Sequence, residues 1–325
     1  MFAYILRRLL YAIPILIGVN LLTFALFFVV NTPDDMARLQ LGSKHVTQDA
    51  IERWKVEHGY DKPLLLNARA TGSAQLTDTL FFQHSAAMFA FKFGKGDDGR
   101  DIGNEIRTRM GPSLAIALPV LVIGLLVNIT FALLMVFFRS TYLDLWGVVL
   151  CVVLMSISGL FYIIAGQYFI AKLWNLLPIS GYTGGIDGFR FILLPVLVSV
   201  VAGIGSGSRW YRTIFLEEIG KDYVRTARAK GLSEIRVLFR HVLKNGMIPI
   251  LTGVVVVLPL LFMGSLITES FFGIPGLGSY TIDAIQAQDF AVVRAMVFLG
   301  SFLYIVGLIL TDISYSWVDP RVRLQ

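Results

Sequence analysis

The chain has 325 residues, 56% of them hydrophobic and only 15% charged, with a formal net charge of +6. Average soluble domains carry about 25% charged residues, so a chain this poor in charge must hold long stretches away from water. A soluble globule, a disordered chain, a collagen-like fibre and a disulfide scaffold are excluded, the last because the one cysteine, Cys151, lies inside an apolar run with no second thiol to pair with.

A helix needs roughly 20 residues to cross a bilayer. Six uncharged stretches are candidates: Leu9 to Val30, Ser113 to Phe138, Leu145 to Ala171, Phe191 to Ser208, Gly246 to Thr268 and Ala295 to Thr311. They are continuously apolar instead of alternating, which predicts an all-α integral membrane protein and not a barrel. The two shortest, Phe191 to Ser208 and Ala295 to Thr311, can gain a turn from flanking Arg190, Arg209, Arg294 or Asp312. Arg7 and Arg8 imitate the start of a signal peptide, but the run behind them is too long for a signal core and no small-x-small pattern follows, so the first span is expected to stay in the mature chain.

Basic residues set the orientation. Fourteen lie on the face of the N-terminus (Arg7, Arg8, Arg139, nine between Arg209 and Lys244, Arg321 and Arg323), against three (Lys172, Arg190, Arg294) on the other. Both termini are therefore expected in the cytoplasm. This placement also accounts for the positive balance with no nucleic acid. The sequence divides into an N-terminal end with the first span (1–30), an external loop (31–112) and a five-span core (113–325).

The external loop is too long for a plain connector and should fold. Thr47 is placed to cap a helix whose Ala50, Ile51 and Trp54 have helical spacing, and Gly59 can end it in a left-handed turn. A flexible linker is the rival reading, because 70–83 looks loose.

The segment Arg209 to Asn245 carries nine basic and four acidic residues. The fourth span is expected to run outward to Ile219 and break at Gly220. Asp222 would cap a short helix ending at Gly231, and Ser233 would cap another running from Glu234 into the fifth span. Tyr223, Thr226, Ala227 and Lys230 share one face of the short helix, suited to a groove on a partner protein. The bland reading is a basic loop held at anionic lipid headgroups.

Asp222-Tyr-Val-Arg-Thr-Ala-Arg-Ala-Lys-Gly-Leu232, followed by Arg240-His-Val-Leu-Lys-Asn245, resembles the cytoplasmic loop of membrane (permease) subunits of the oligopeptide/dipeptide/nickel class of ABC importers. Gly59-Tyr-Asp-Lys-Pro-Leu64, Leu177-Pro-Ile-Ser-Gly181, Glu269-Ser-Phe-Phe-Gly-Ile-Pro-Gly-Leu-Gly278 and Asp312-Ile-Ser-Tyr-Ser-Trp-Val-Asp-Pro-Arg321 resemble the same subunit in the same order, almost end to end. Two departures stand out. The broad importer signature Glu-Ala-Ala then Gly falls on Arg225, Thr226, Ala227 and Gly231, of which only Ala227 and Gly231 fit. Ser156-Ile-Ser-Gly-Leu-Phe161 lacks the proline that this class commonly has in Ser-x-Pro-x-Phe, and with it the residue that would dictate a kink in the third span.

The resemblance implies a six-helix permease of the type I ABC importer kind in a bacterial inner membrane. It would pair with a second, related permease subunit, dock two ATP-binding cassette ATPases through Asp222, Tyr223, Arg225, Thr226, Ala227, Arg228, Lys230 and Gly231, and receive cargo from an external substrate-binding protein. The cargo would be peptides, or alternatively a nickel chelate or other small solute. No Gly-x-x-x-x-Gly-Lys-Ser/Thr loop occurs in the sequence, so no cofactor is expected on this chain, and ATP and Mg would sit on the partner ATPases, leaving a transport subunit that is not itself an enzyme.

Other residues were weighed singly. Gly203, Gly205 and Gly207 imitate a nucleotide-binding run but inside a span read as close helix packing. Asn20 and Gln167 either line a path or bond a neighbouring helix. Glu269, Phe271 and Phe272 after the fifth span could gate or contact cargo, with a solvated interfacial anchor the alternative for Glu269. His45, His58, His84 and His241 show no metal-ligand spacing, and no catalytic arrangement stands out. A stand-alone channel or secondary transporter, or a membrane enzyme, are the remaining competitors.

Overall fold

The computed structural model describes residues 2–42, 46–68, 70–185 and 188–318. The described chain is helical, and its one β feature is an isolated bridge between Lys95 and Asp101. It forms two compact units, one holding residues up to Arg109 with Tyr280–Ile309, the other Met110–Ser279 with the stretch from Leu310.

In the first unit, α1 (Phe2–Ala25) runs into a wide turn at Leu26–Val30, and after it come α2 (Pro33–Leu41), α3 (Gln48–Glu57) and a single turn, α4 (Ala74–Thr77). Thr32 caps α2 in a reciprocal box with Asp35, and Thr47 caps α3 through the Ala50 amide. Gly59 follows in a left-handed conformation, φ 68°. The apolar faces these caps present bury Phe24, Phe28, Met36, Ile51, Trp54, Tyr60 and Leu80 together. Each large side chain so buried contributes about 1.5–3 kcal/mol, so the loop folds as a cap. The stretch read as loose is partly fixed: Thr79 and Leu80 are each 1% exposed, and the Leu80 and Phe81 amides bond the carbonyls of Pro63 and Leu64.

The second unit draws on α5 (Ile102–Phe137), α6 (Tyr142–Ser156), α7 (Gly159–Gly166), α8 (Phe189–Ile219), α9 (Asp222–Ala229), α10 (Glu234–Val237), α11 (Lys244–Val257), α12 (Leu266–Phe272) and the first turn of α13 (Leu277–Ala287). The last long helix is α14 (Phe290–Val318). Five helical segments are long and apolar enough to cross a membrane, and α6 with α7 and its extension to Leu173 makes a sixth as a bent pair.

Three sequence expectations are corrected. The third span is broken by 88° although it lacks the proline. Ile157 and Ser158 are both extended, and the Tyr162 hydroxyl donates to the Leu154 carbonyl across the break at 2.8 Å, so side-chain bonding replaces the ring constraint. The fifth span ends at Met263, where Gly264 turns left-handed at φ 69°, and Glu269 sits in the separate helix α12. Asp222 is the first residue of α9, not its cap: Lys221 holds the cap position, without a side-chain cap bond. Of the C-terminal motif, Asp319 to Arg321 lies outside the described residues.

Candidate functional site

Two glycines of the run on α8, Gly205 and Gly207, are packing points, whereas Gly203 meets nothing. A Cβ at Gly205 would lie 2.5 Å from the Cys151 carbonyl of α6, and one at Gly207 would lie 2.7 Å from the Asn128 side chain of α5. Close approach of this kind is how small residues join membrane helices. Asn128 completes the junction by accepting from the Ser208 hydroxyl at 2.8 Å, and Gln167 donates to the carbonyls of Ile179 and Phe271. Asn20, in the first unit, is buried and donates to the Ser85 carbonyl.

α8 continues as one helix to Ile219, and α9 is then packed back on it. Val224 and Ala227 are buried in a cluster with Phe215, Ile219, Val237, Leu238, Val242 and Ile250, and with Ala132, Leu133 and Val136 of α5. The helical rotation therefore splits α9 in two. Val224, Ala227, Tyr223 and Arg228 turn inward, while Asp222, Arg225, Thr226, Ala229 and Lys230 are exposed along one face. Ala227 does not share the outward face with Thr226 and Lys230. Gly231 ends α9 at φ 77°, a conformation that favours glycine.

Carboxylates hold this segment. Glu234 takes a two-pronged bond from Arg228, at 3.1 and 2.7 Å, with Arg139 of the α5 terminus 3.8 Å away. The Arg228 guanidinium holds the Glu234 carboxyl below the ordinary carboxylate range. Glu218 receives the Tyr223 hydroxyl and the Lys221 ammonium, and burial pushes the Tyr223 phenol up to about 12. Asp144 of α6 pairs in the same forked manner with Arg212 of α8, at 2.9 and 2.7 Å. The exposed pair Arg225–Asp222 adds little.

At the far end of the same unit, Glu269 is 1% exposed. It is not a solvated anchor. Its oxygens accept from the amides of Ser265 (3.1 Å), Gly278 (2.7 Å) and Ser279 (3.1 Å), and from the Ser113 hydroxyl. The Leu277 amide in turn donates to Ser113 at 2.8 Å. The first three amides of α13, which have no partner within their own helix, are thus capped by side chains brought from elsewhere. Beyond the end of the fifth span, burial pushes the Glu269 carboxyl above its ordinary range, against these hydrogen bonds. Only glycine fits around it: a Cβ would fall 1.9 Å from Glu269 at Gly264 and 2.2 Å at Gly276. Phe272 is buried beside Ile274, with its carbonyl accepting from Gly181 at 2.8 Å, whereas Phe271 is exposed. Two of the quoted motifs, 177–181 and 269–278, meet here.

Between these two ends runs a furrow on α5, α8 and α11. One hollow of about 390 Å³ is lined by Gly124, Asn128, Gly203, Trp210, Pro249 and Gly253 among others. A second of about 430 Å³, lined in part by Ser113, Leu260 and Glu269, shares Val120, Leu121, Ser199 and Val257 with it. Among the described residues, no group of three or more histidine, cysteine or carboxylate side chains is placed to hold a metal ion.

Sequence reasoning missed Ser113, Asn128 and the Asp144–Arg212 pair. Lone charges at the ends of two spans were a signal for the pair, but Ser113 bonds a residue 164 positions away and carries none.

Residues 114–324 match the family described as binding-protein-dependent transport system inner membrane component, and residues 1–89 match the N-terminal region described for such components. A Brucella abortus (strain 2308) protein provisionally named a peptide transport system permease protein is 31% identical, covering 99% of both chains. The dipeptide transport system permease protein DppB of Escherichia coli (strain K12) is 28% identical over 99% of both, and the oligopeptide transport system permease protein AppB of Bacillus subtilis (strain 168) is 29% identical over 99% of this chain and all of its own. Apolar helices long enough to cross a membrane, a family match over most of the chain and relatives matched end to end lead to one conclusion: the chain belongs to the family of inner membrane components of binding-protein-dependent transport systems.

Proposed function

We propose that this chain is the permease subunit of an ATP-driven importer of peptides, oriented with both termini in the cytoplasm. Its furrow on α5, α8 and α11 forms half of the translocation path, and a second, related permease subunit supplies the other half. An external binding protein delivers the cargo. Two ATP-binding cassette ATPases dock on the outward face of α9 (Asp222, Arg225, Thr226, Lys230), with Gly231 ending the helix. Tyr223, Ala227 and Arg228 fasten α9 to the chain. ATP and Mg belong to those ATPases, and the chain itself makes no catalytic contribution.

The observation that carries this reading is the way α9 is fixed. It is a two-turn helix whose inner face is sealed into a core shared with three long helices, and whose outer face is polar and exposed. A push on such an element moves the helices it is packed against, which is what alternating access needs. A loop merely resting on lipid needs no such core. Charge reversal on the outer face, Arg225→Glu with Lys230→Glu, should abolish co-purification of the ATPases and peptide uptake while the protein still inserts. Retention of both would sink the docking assignment.

A further inference from the structure

The first unit holds a hollow of about 600 Å³, and nothing in the transport reading uses it. Its wall includes Glu57, His58, Tyr60, Lys92, Asp97 and Arg294. Arg294 is 2% exposed. Its Nε donates to the Phe290 carbonyl and one terminal nitrogen to the Tyr60 hydroxyl, each at 3.2 Å, while the guanidinium carbon sits 4.5 Å from the centre of the Phe28 ring. The other terminal nitrogen, Nη1, is buried with no hydrogen-bond partner among the described residues.

A buried guanidinium without a carboxylate is costly, and a donor left unpaired adds to that cost. No carboxylate pairs with it directly, although Glu57 and Asp97 lie on the same wall. Asp97 is engaged by His58 at 3.5 Å and by the Gln40 amide, and Asp289 receives the Asp97 and Val292 amides. Lys92 and Lys95 line the same hollow and make no ion pair among the described residues. His84, on the same wall, is driven down to about 4, chiefly by burial and further by Arg294, so it is neutral and adds no positive charge near neutral pH. With Lys92, Lys95 and Arg294 set against Glu57 and Asp97, the wall carries one positive charge in excess, around an unsatisfied N–H, in a space of the size that takes a small ligand instead of a single side chain.

We propose that this hollow is a binding site for a small carboxylate, the C-terminal end of a short peptide, with Arg294 as the recognising cation and Lys92 and Lys95 at its rim. The inference rests on the peptide reading for the identity of the carboxylate. It places a peptide-sensing or holding site in the unit formed by the external loop, apart from the furrow. The test is equilibrium binding of dialanine, N-acetyl-dialanine, dialanine amide and acetate to the purified transporter in lipid nanodiscs. Dialanine and its N-acetyl form should bind alike; the amide should be weaker by about tenfold or more, the loss expected for one charge-assisted contact, and acetate, which keeps the carboxylate but lacks the rest of the peptide, should be weaker as well. Arg294→Gln should remove the binding, and Tyr60→Phe, which keeps the guanidinium, should retain it. Should Arg294→Gln fail to fold, Lys92→Ala with Lys95→Ala, both at exposed positions, should weaken dialanine binding by roughly threefold or more. Equal binding of the amide, equal binding of acetate, or binding indifferent to these substitutions would overturn the site. So would absence of dialanine binding while uptake persists, an outcome that leaves the transport reading intact.

Discussion

Two glutamates organise the second unit in opposite ways. Glu269 gathers neutral backbone amides and one hydroxyl at a buried position, whereas Glu234 gathers guanidinium groups at a half-exposed one. The first arrangement is specified by shape, since the glycines around it leave no room for a Cβ. The second is specified by charge and can be re-formed after small displacements. A fixed knot and an adjustable clasp are what a transporter needs at the end that must hold a loop and at the end that must pass on a movement.

The comparison is broken most severely at the knot. Glu269→Ala should leave two buried amides, those of Gly278 and Ser279, without an acceptor, at about 1–3 kcal/mol each, and thermal unfolding in nanodiscs should show a large fall in Tm. Gly276→Ala should behave nearly as badly, because its methyl would overlap the carboxylate. If either variant unfolds like the wild type, the knot does not hold α13. At the clasp, Glu234→Ala should cost no more than about 1 kcal/mol, the usual range for a partly exposed pair. Its effect should appear in transport: peptide uptake per ATP hydrolysed should drop while ATPase association is retained.

Acid sharpens the contrast. Glu234 has a depressed folded-state value, so its stabilisation is complete above the ordinary glutamate value of 4.5 and is lost as pH falls below it. Glu269 is raised, so the sign is reversed: its contribution is complete below 4.5 and declines as pH rises through its folded-state value. Hydrogen-exchange protection, corrected for intrinsic rates, should therefore weaken in 222–240 but not in 264–279 as pH is lowered. The same trend in both segments would contradict the distinction. The smallest effect is expected from Asp222→Asn, whose pair with Arg225 is fully exposed and whose loss should leave Tm unchanged within error.

Much of this could be read in advance because it depends on neighbours in sequence. Thr47 capping α3, Gly59 ending it, α8 running past its apolar stretch to Gly220, and Gly205 and Gly207 as packing points are all local or periodic properties, while Gly203 packs against nothing and lines the hollow. The failures share another feature. The bend at Ile157 was doubted because its usual proline was missing, yet a tyrosine eight residues from its acceptor secures it. Ala227 was grouped with Thr226 and Lys230 by spacing alone, which cannot tell which side of a two-turn helix meets its own chain. Glu269 was read as interfacial because the apolar run before it looked continuous, and Gly264 alone did not reveal that the helix stops at Met263.

Composition, the lengths of apolar runs and the distribution of arginine and lysine determined by themselves that this is a multi-span helical membrane protein, since each follows from the cost of placing charge or open backbone in lipid. Where the carboxylates went was decided only by tertiary structure. A buried Glu269 is tolerable because the amides of Ser265, Gly278 and Ser279 and the Ser113 hydroxyl converge on it, and a buried Arg294 is left with an unmet donor because no acceptor among the described residues reaches its Nη1. The amides come from the turns on either side of Glu269, but Ser113 reaches the same knot from another helix, and the free energy of a buried charge is set by whether such groups meet in space.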